Sequence, residues 1–159
     1  MDKSNKDSPN ILVIHGPNLN MLGKREVNIY GKSTLDKINV EMIKTGENAG
    51  FLVETFQSNH EGAIVDKIQQ AMEKHSGLII NPAAFTHTSI AIRDALLLLE
   101  IPVIELHISN IYKREPFRQK SMMSDVTTAI IAGFGVYGYT MALEAVIRMI
   151  RSDTPHHEL

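Results

Sequence analysis

The sequence predicts a single α/β domain in which a five-stranded parallel sheet carries helices on both faces. Two observations lead to this fold class. Short apolar runs alternate with longer amphipathic stretches over nearly the whole chain, and such alternation is typical of the βα units that build parallel sheets. The length of 159 residues suits one domain of ordinary size.

The first strand is predicted at residues 11–14, which are apolar and are followed by Gly16-Pro17. The next segment, residues 16–33, is polar and bounded by glycines, and it is too long for an ordinary connection between a strand and a helix. We therefore expect a functional loop here, with residues 22–30 forming a lid over a pocket.

A helix and a strand follow this loop. Ser33 and Asp36 have the spacing of a capping box at a helix start, and Gly50 marks the helix end. Residues 51–56 are then predicted to form the second strand. The apolar stripe of this first helix consists of Leu35, Ile38, Met42 and Ile43.

The second helix is predicted from its own pair of end signals. Ser58 and Glu61 suggest another capping box, and Gly77 suggests the helix end. Its apolar stripe consists of Ile64, Val65, Ile68, Ala71 and Met72.

The second half of the chain continues the alternation. Its predicted strands are 78–80, 103–107 and 127–132, and its predicted helices are 90–99 and 136–151. Five strands alternating with helices predict a flavodoxin-like domain over residues 10–151, between a flexible segment 1–9 and a tail 152–159. Ligands of such sheets bind beyond the carboxyl ends of the strands. The polar segments after strands one, three and four all fall there.

Composition excludes several classes of function. A net charge of -2 and a pI of about 6.4 offer no electrostatic footprint for nucleic acid. No apolar run approaches the roughly 18 residues that a membrane helix needs, and residues 1–10 lack the apolar core of a signal peptide. The absence of cysteine excludes disulfides and thiolate zinc sites. We expect a cytoplasmic protein without a nucleic-acid or membrane partner.

Two patterns suggest ligands that their context does not support. Residues 133–138 spell a formal G-x-G-x-x-G, but no later strand completes a dinucleotide-binding unit, so a tight turn with close helix–sheet packing is the better interpretation. The histidines before the tail are scattered, without metal-ligand spacing, which predicts no metal site. Two of them lie at the expected crevice: His87 is in the loop after the third strand, and His107 is at the end of the fourth.

Glu105 and His107 stand two residues apart on a predicted strand, so their side chains share one face. A carboxylate beside an imidazole orients the ring and stabilises its protonated form, which suits a general acid. A pair that merely caps the strand end fits the spacing equally well. In the loop before the first helix, Arg25 and Tyr30 would meet over a pocket if the loop closes, while a solvated loop anchored by Tyr30 is the plainer alternative.

Four segments of the sequence have a distinctive wording. Residues 11–31 read ILVIHGPNLNMLGKREVNIYG, residues 81–89 read NPAAFTHTS, residues 105–110 read ELHISN and residues 114–121 read REPFRQKS. Together they resemble the type II 3-dehydroquinate dehydratases, whose corresponding segments are ILVINGPNLNLLGxREPxxYG, NPGAYTHTS, E-x-HxSN and REEFRxxS. Their order and spacing agree over about 150 residues.

The resemblance implies a lyase without metal or nucleotide, which reversibly dehydrates 3-dehydroquinate to 3-dehydroshikimate in trans geometry through an enolate. This reaction serves both the shikimate pathway and quinate catabolism. A flavodoxin-like binding or signalling module is the alternative from another class. It predicts flavin or phosphoryl chemistry, yet the clustered acids of a receiver domain are missing after strand one, where His15-Gly16-Pro17 stands.

The family's catalytic roles carry over to matching positions. Tyr30 would be the base that removes the proton beside the ketone, and Arg25 would stabilise its phenolate and the developing negative charge. His107 would be the acid that protonates the departing hydroxyl, oriented by Glu105. Asn18 would hold a water against the enolate oxygen.

The implied binding roles complete the site. Asn81 and His87 would bind substrate hydroxyls, Arg118 would serve the same pocket, and the backbone amides of Ile108 and Ser109 would take the carboxylate. Asp94 would reach a neighbouring subunit's site, because the family forms trimers assembled into dodecamers. The sequence departs from the family wording at His15 for asparagine, at Val27 for proline, and in residues 83–85, where Ala-Ala-Phe, with Ala84 and Phe85, replaces Gly-Ala-Tyr.

Overall fold

The structure is a computed structural model that describes residues 8–24 and 33–152. Short 3₁₀ turns connect some of its strands and helices. The strands are β1 Asn10–His15, β2 Leu52–Gln57, β3 Gly77–Asn81, β4 Val103–His107 and β5 Ala129–Ala132. The helices are α1 Leu35–Asn48, α2 Glu61–Lys74, α3 Ile90–Leu96 and α4 Tyr137–Arg151.

The five strands form one parallel sheet in the order β2-β1-β3-β4-β5. This is the flavodoxin-like order, and it confirms the fold class predicted from the sequence. The order reverses at β1, which lies between β2 and β3. His15 and Asn81, the last residues of β1 and β3, are paired across this point.

The helices cover the sheet in two pairs. Helices α1 and α4 pack on the face that carries Ile11 and Val13, whereas α2 and α3 pack on the face that carries Leu12 and Ile14. Alternate residues of a strand point to opposite faces, and each face of β1 is completely buried. The continuous apolar run of the first strand follows from this burial on both sides.

The two predicted capping boxes are wrong. Helix α1 is capped by Thr34, whose Oγ1 accepts from the N–H of Lys37 at 3.3 Å, one residue after the predicted Ser33. Ser58 does not cap α2 either, because its backbone N–H still donates to His15 O at the edge of the sheet. The helix therefore begins two residues later, after His60, whose N–H donates to Ser58 Oγ.

Gly77 does not end the second helix, which stops at Lys74, but opens β3. A Cβ at Gly77 would lie 2.7 Å from Val146 Cγ2, so the glycine lets α4 approach the sheet closely. The third helix is α-helical to Leu96. It continues through Leu99 as a 3₁₀ turn, in which the N–H groups of Leu98 and Leu99 donate to the carbonyl groups three residues earlier.

The fifth strand begins at Ala129, two residues later than predicted. Thr128 replaces part of the backbone ladder, because its Oγ1 accepts the hydrogen bond from Val103 N–H at 3.0 Å. Between β5 and α4, Gly133 adopts φ 91° and Gly135 adopts φ 60°, and Gly138 packs against Leu106. The glycine motif thus forms the expected tight turn with close helix–sheet packing.

Among residues 8–24 and 33–152, no helix is both long and apolar enough to cross a membrane.

Candidate active site

A cavity of about 460 Å³ opens beyond the carboxyl ends of β1, β3 and β4. This is the edge of the sheet at which the sequence predicts a ligand crevice. The predicted site residues that line the cavity are Asn18, Asn81, His87, His107, Ile108, Ser109 and Arg118. Residues separated by a hundred positions in sequence are therefore brought together as the resemblance implies.

The loop that carries Asn18 packs closely against the end of β3 at Asn81. The N–H of Gly16 donates to Asn81 O at 2.8 Å, and a Cβ at Gly16 would lie 2.4 Å from Pro82 O. Only glycine permits this approach. Asn18 itself is left-handed at φ 67°, and its N–H donates to Asn59 Oδ1 at 2.9 Å.

Glu105 and His107 form a buried pair beneath the cavity, with His107 Nε2 2.6 Å from Glu105 Oε1. Ser121 Oγ donates to the same oxygen at 2.7 Å and accepts from the N–H groups of Met123 and Ser124. We call Glu105, His107 and Ser121 the dyad group. Because Nε2 is engaged, Nδ1 is the ring nitrogen left to meet a ligand.

His87 is oriented by the loop after β4. Its Nδ1 lies 2.7 Å from Lys120 O, and a carbonyl only accepts, so the hydrogen of the neutral ring resides on Nδ1. Nε2 is then an acceptor, suited to a hydroxyl hydrogen.

Among the described residues, two guanidinium groups line the cavity, those of Arg118 and Arg114. Glu115 contacts both, with its Oε2 3.4 Å from Arg118 Nε and 3.7 Å from Arg114 Nε. These pairs are partly exposed and therefore weak, which leaves both cations able to exchange Glu115 for a ligand anion. Arg118 also stacks over Phe117.

The segment after β4 is held through its carbonyl groups. Gly133 N–H donates to His107 O at 3.2 Å and Gly135 N–H donates to Ile108 O at 2.9 Å. Within the described part of the chain, neither Ile108 N–H nor Ser109 N–H donates to a protein acceptor. Two backbone donors thus stand at the cavity beside Arg118.

Comparison with known proteins gives the family of the chain. A family model described as Dehydroquinase class II matches residues 9–147. The 3-dehydroquinate dehydratase of Acaryochloris marina is 50% identical over 146 residues, covering 92% of this chain and 98% of that protein. The corresponding protein of Francisella philomiragia is 57% identical over 140 residues, covering 88% and 95%.

Solved structures give the same result. The type II dehydroquinase of Butyrivibrio crossotus superposes with a TM-score of 0.84 at 47% identity, covering 87% of this chain and 97% of that one. That of Propionibacterium acnes has a TM-score of 0.85 at 45% identity, covering 89% and 97%.

This chain belongs to the class II dehydroquinases.

Among the remaining predicted site residues of this dehydroquinase, Glu105 lies behind His107 and contacts it. Arg25 and Tyr30 lie outside the described residues. Asp94 is exposed on α3 and does not line the cavity of its own chain. No group of three metal-binding side chains occurs within residues 8–24 and 33–152.

Sequence reasoning about this dehydroquinase missed the supports behind Asn81. Asn81 Oδ1 accepts from Ala83 N–H at 3.2 Å, and its Nδ2 donates to Tyr139 Oη at 3.2 Å. Tyr139 Oη lies 3.1 Å from His15 Nδ1, and His15 Nε2 lies 2.8 Å from Asn39 Oδ1. We call Asn39, His15, Tyr139 and Asn81 the relay.

Burial sets the protonation of the relay. It lowers the pKa of His15 to about 4, although the hydrogen bond with Asn39 opposes this shift. It also raises the pKa of the Tyr139 hydroxyl. Both rings are therefore neutral near pH 7. The departure from the family's asparagine at His15 was the one sequence signal for this network.

Sequence reasoning about this dehydroquinase also left Ser121 and Arg114 without a role. Both residues belong to the REPFRQKS segment, so the resemblance of that segment to the family was the sequence feature that could have pointed to them.

Proposed function

We propose that this dehydroquinase reversibly converts 3-dehydroquinate to 3-dehydroshikimate by trans elimination of water through an enolate. The observation that carries the proposal is the cavity itself. It combines the buried carboxylate–imidazole pair of Glu105 and His107 with hydroxyl-binding groups and two guanidinium groups. A polyhydroxylated carboxylate with a leaving hydroxyl requires this set of groups.

His107 acts as the general acid in this proposal. With Nε2 held by Glu105, the imidazolium donates its Nδ1 proton to the departing hydroxyl, the carbon–oxygen bond breaks and water leaves. Glu105 keeps the ring oriented, and Ser121 fixes the carboxylate through Oε1. Preorganised orientation of this kind avoids reorganisation during the reaction.

Tyr30 and Arg25 perform the first half of the reaction. Tyr30 takes the proton from the carbon beside the ketone, and Arg25 stabilises the phenolate that does so. Asn18, which lines the cavity, holds a water against the enolate oxygen. The base and acid thus act on two neighbouring carbons.

Substrate recognition follows from the donors and acceptors at the cavity. His87 Nε2 accepts a hydroxyl hydrogen, because its Nδ1–H is used by Lys120 O, and Asn81 binds a second hydroxyl. The N–H groups of Ile108 and Ser109 take the carboxylate, and Arg118 adds positive charge.

The proposed assembly is a trimer-based dodecamer in the cytoplasm. Asp94 is exposed on α3, and Leu97 and Leu98 beside it are 59% and 49% exposed. A neighbouring subunit would bury these leucines and receive Asp94 at its own cavity. Light scattering that finds an active monomer contradicts this arrangement.

The decisive experiment is a spectrophotometric assay of enone formation from 3-dehydroquinate. We expect turnover by the wild-type chain, unchanged after exhaustive treatment with EDTA, and near-complete loss in Tyr30→Phe. Absence of enone with wild-type protein refutes the lyase proposal. Loss of turnover with EDTA that added zinc or magnesium restores would refute only its metal-free form.

A further inference from the structure

The relay lies on the face of the sheet covered by α1 and α4. His15 and Asn81 are the last residues of neighbouring strands and are direct partners in register, so their side chains stand side by side. Tyr139, in the first turn of α4, is 1% exposed and contacts both. Asn39 of α1 contacts the far side of the His15 ring.

The hydrogen-bond directions in the relay follow from the groups at its two ends. Ala83 N–H can only donate, so the Asn81 atom that it meets is the oxygen, and the amide nitrogen donates to Tyr139 Oη. At the other end Asn39 Oδ1 can only accept, so the neutral His15 ring accepts the Tyr139 hydrogen at Nδ1.

The rest of the relay follows in turn. Since Nδ1 of the neutral His15 ring accepts, its hydrogen is on Nε2 and is donated to Asn39 Oδ1. Each hydrogen bond of the relay is then donated away from the cavity and toward α1. Asn81 donates to Tyr139, Tyr139 donates to His15, and His15 donates to Asn39. A protonated His15 would carry a hydrogen on Nδ1 as well and would oppose the hydroxyl hydrogen of Tyr139.

We propose that His15 and Tyr139 are positioning residues that make Asn81 a hydrogen-bond donor to the substrate. With one lone pair of Oδ1 engaged by Ala83 and one Nδ2 hydrogen by Tyr139, the second Nδ2 hydrogen is the donor that Asn81 has left for a ligand. Asn81 lines the cavity, so this hydrogen meets a hydroxyl oxygen. The inference rests on the proposed function, because it specifies how that substrate is held.

A double-mutant cycle between Tyr139 and Asn81 tests the relay. Tyr139→Phe keeps the buried ring but frees the Asn81 amide. It should lower kcat/KM about tenfold, chiefly by raising KM, as expected for the loss of one ground-state hydrogen bond. In an Asn81→Ala background the same change should alter kcat/KM by less than about twofold. Equal losses in both backgrounds would overturn the proposal, because they would indicate a packing role.

Two further variants separate positioning from folding. His15→Gln retains an acceptor and a donor on a side chain of similar reach and should preserve KM within about threefold, whereas His15→Leu should raise KM about tenfold. Equal KM values in the two variants argue against the relay. Tyr137→Phe is the matched control, because it removes an exposed hydroxyl two residues earlier in α4, and its kinetics should equal those of wild type.

NMR of ¹⁵N-histidine-labelled protein tests the relay independently of turnover. The His15 hydrogen should reside on Nε2, and Tyr139→Phe should shift the Nδ1 resonance by removing its donor. A hydrogen on Nδ1 contradicts the relay even if the enzyme is active. If the wild-type chain fails to convert 3-dehydroquinate, the lyase proposal fails while this measurement still decides the hydrogen-bond direction.

Discussion

The dyad group and the relay flank the same cavity from opposite faces of the sheet, and they differ in charge. The dyad group contains a carboxylate, and Glu105 Oε2 is buried without a protein partner among the described residues. The relay consists of neutral groups that are hydrogen-bonded to one another. Buried charge, which is costly, thus lies where we propose that a proton is transferred, and neutral groups lie where the proposed role is orientation alone.

The two groups also differ in how they are assembled. Glu105 and His107 come from one strand, and Ser121 comes from the loop that follows. The relay joins residues of β1, α1, β3 and α4. Substitutions in the dyad group should therefore act mainly on kcat, whereas substitutions in the relay should act mainly on KM and on the free energy of unfolding.

The largest expected effect is that of His107→Ala. It removes the proposed proton donor and should lower kcat by about 10²- to 10⁴-fold, with a much smaller change in KM. Steady-state kinetics on 3-dehydroquinate measure both quantities. A variant with wild-type kcat and a raised KM would show that the dyad group, like the relay, serves binding alone.

The second effect concerns the pH dependence of stability. Unfolded histidine has a pKa near 6.5, whereas burial lowers that of folded His15 to about 4, so between these values the unfolded chain binds a proton that the folded chain does not. The contribution of His15 to the free energy of unfolding should thus fall as the pH drops through this window, by about 3 kcal/mol in total.

Urea unfolding at pH 7 and at pH 4.5 measures this loss for the wild-type chain. His15→Gln is the control, because it has no group that titrates there, and its stability should decline less. Equal declines in the two proteins would show that the relay is not the source of the acid sensitivity.

A third, smaller effect is expected from Ser121→Ala. The change removes the 2.7 Å hydrogen bond to Glu105 and the acceptor of two backbone N–H groups. It should lower kcat about tenfold and destabilise the fold by about 1–2 kcal/mol. Kinetics and thermal unfolding test both parts. Wild-type kcat in a destabilised variant would mean that Glu105 holds His107 without help from Ser121.

The smallest effect is expected at Ala83, which supports the relay through its N–H. Ala83 has φ 52°, a left-handed conformation that strains residues with a Cβ, and the family segment has glycine at this position. Ala83→Gly should raise the free energy of unfolding by about 0.5–1 kcal/mol, because relieved strain exceeds the added freedom of the unfolded chain. Chemical denaturation measures this change in the free energy of unfolding, and a destabilised variant would show that the backbone at Ala83 is not strained.

The difference between the two groups explains which parts of the site sequence reasoning found. The pair of Glu105 and His107 could be recognised from the sequence, because residues two apart on a strand share a face whatever surrounds them. The relay could not be predicted from the sequence, because His15 and Tyr139 are 124 positions apart and meet only after α4 has packed over β1. No local pattern distinguishes a tyrosine in that place from any other buried tyrosine.

By itself, the sequence determined the order and type of the strands and helices, and hence the parallel sheet and the edge of the sheet at which the cavity lies. These follow from apolar periodicity and from the short reach of βα connections, which are local properties. The tertiary structure decided where helices begin, which hydrogen-bond partners each polar side chain receives, and the neutral state of His15. Those depend on burial and on distances between distant segments, which exist only in the folded chain.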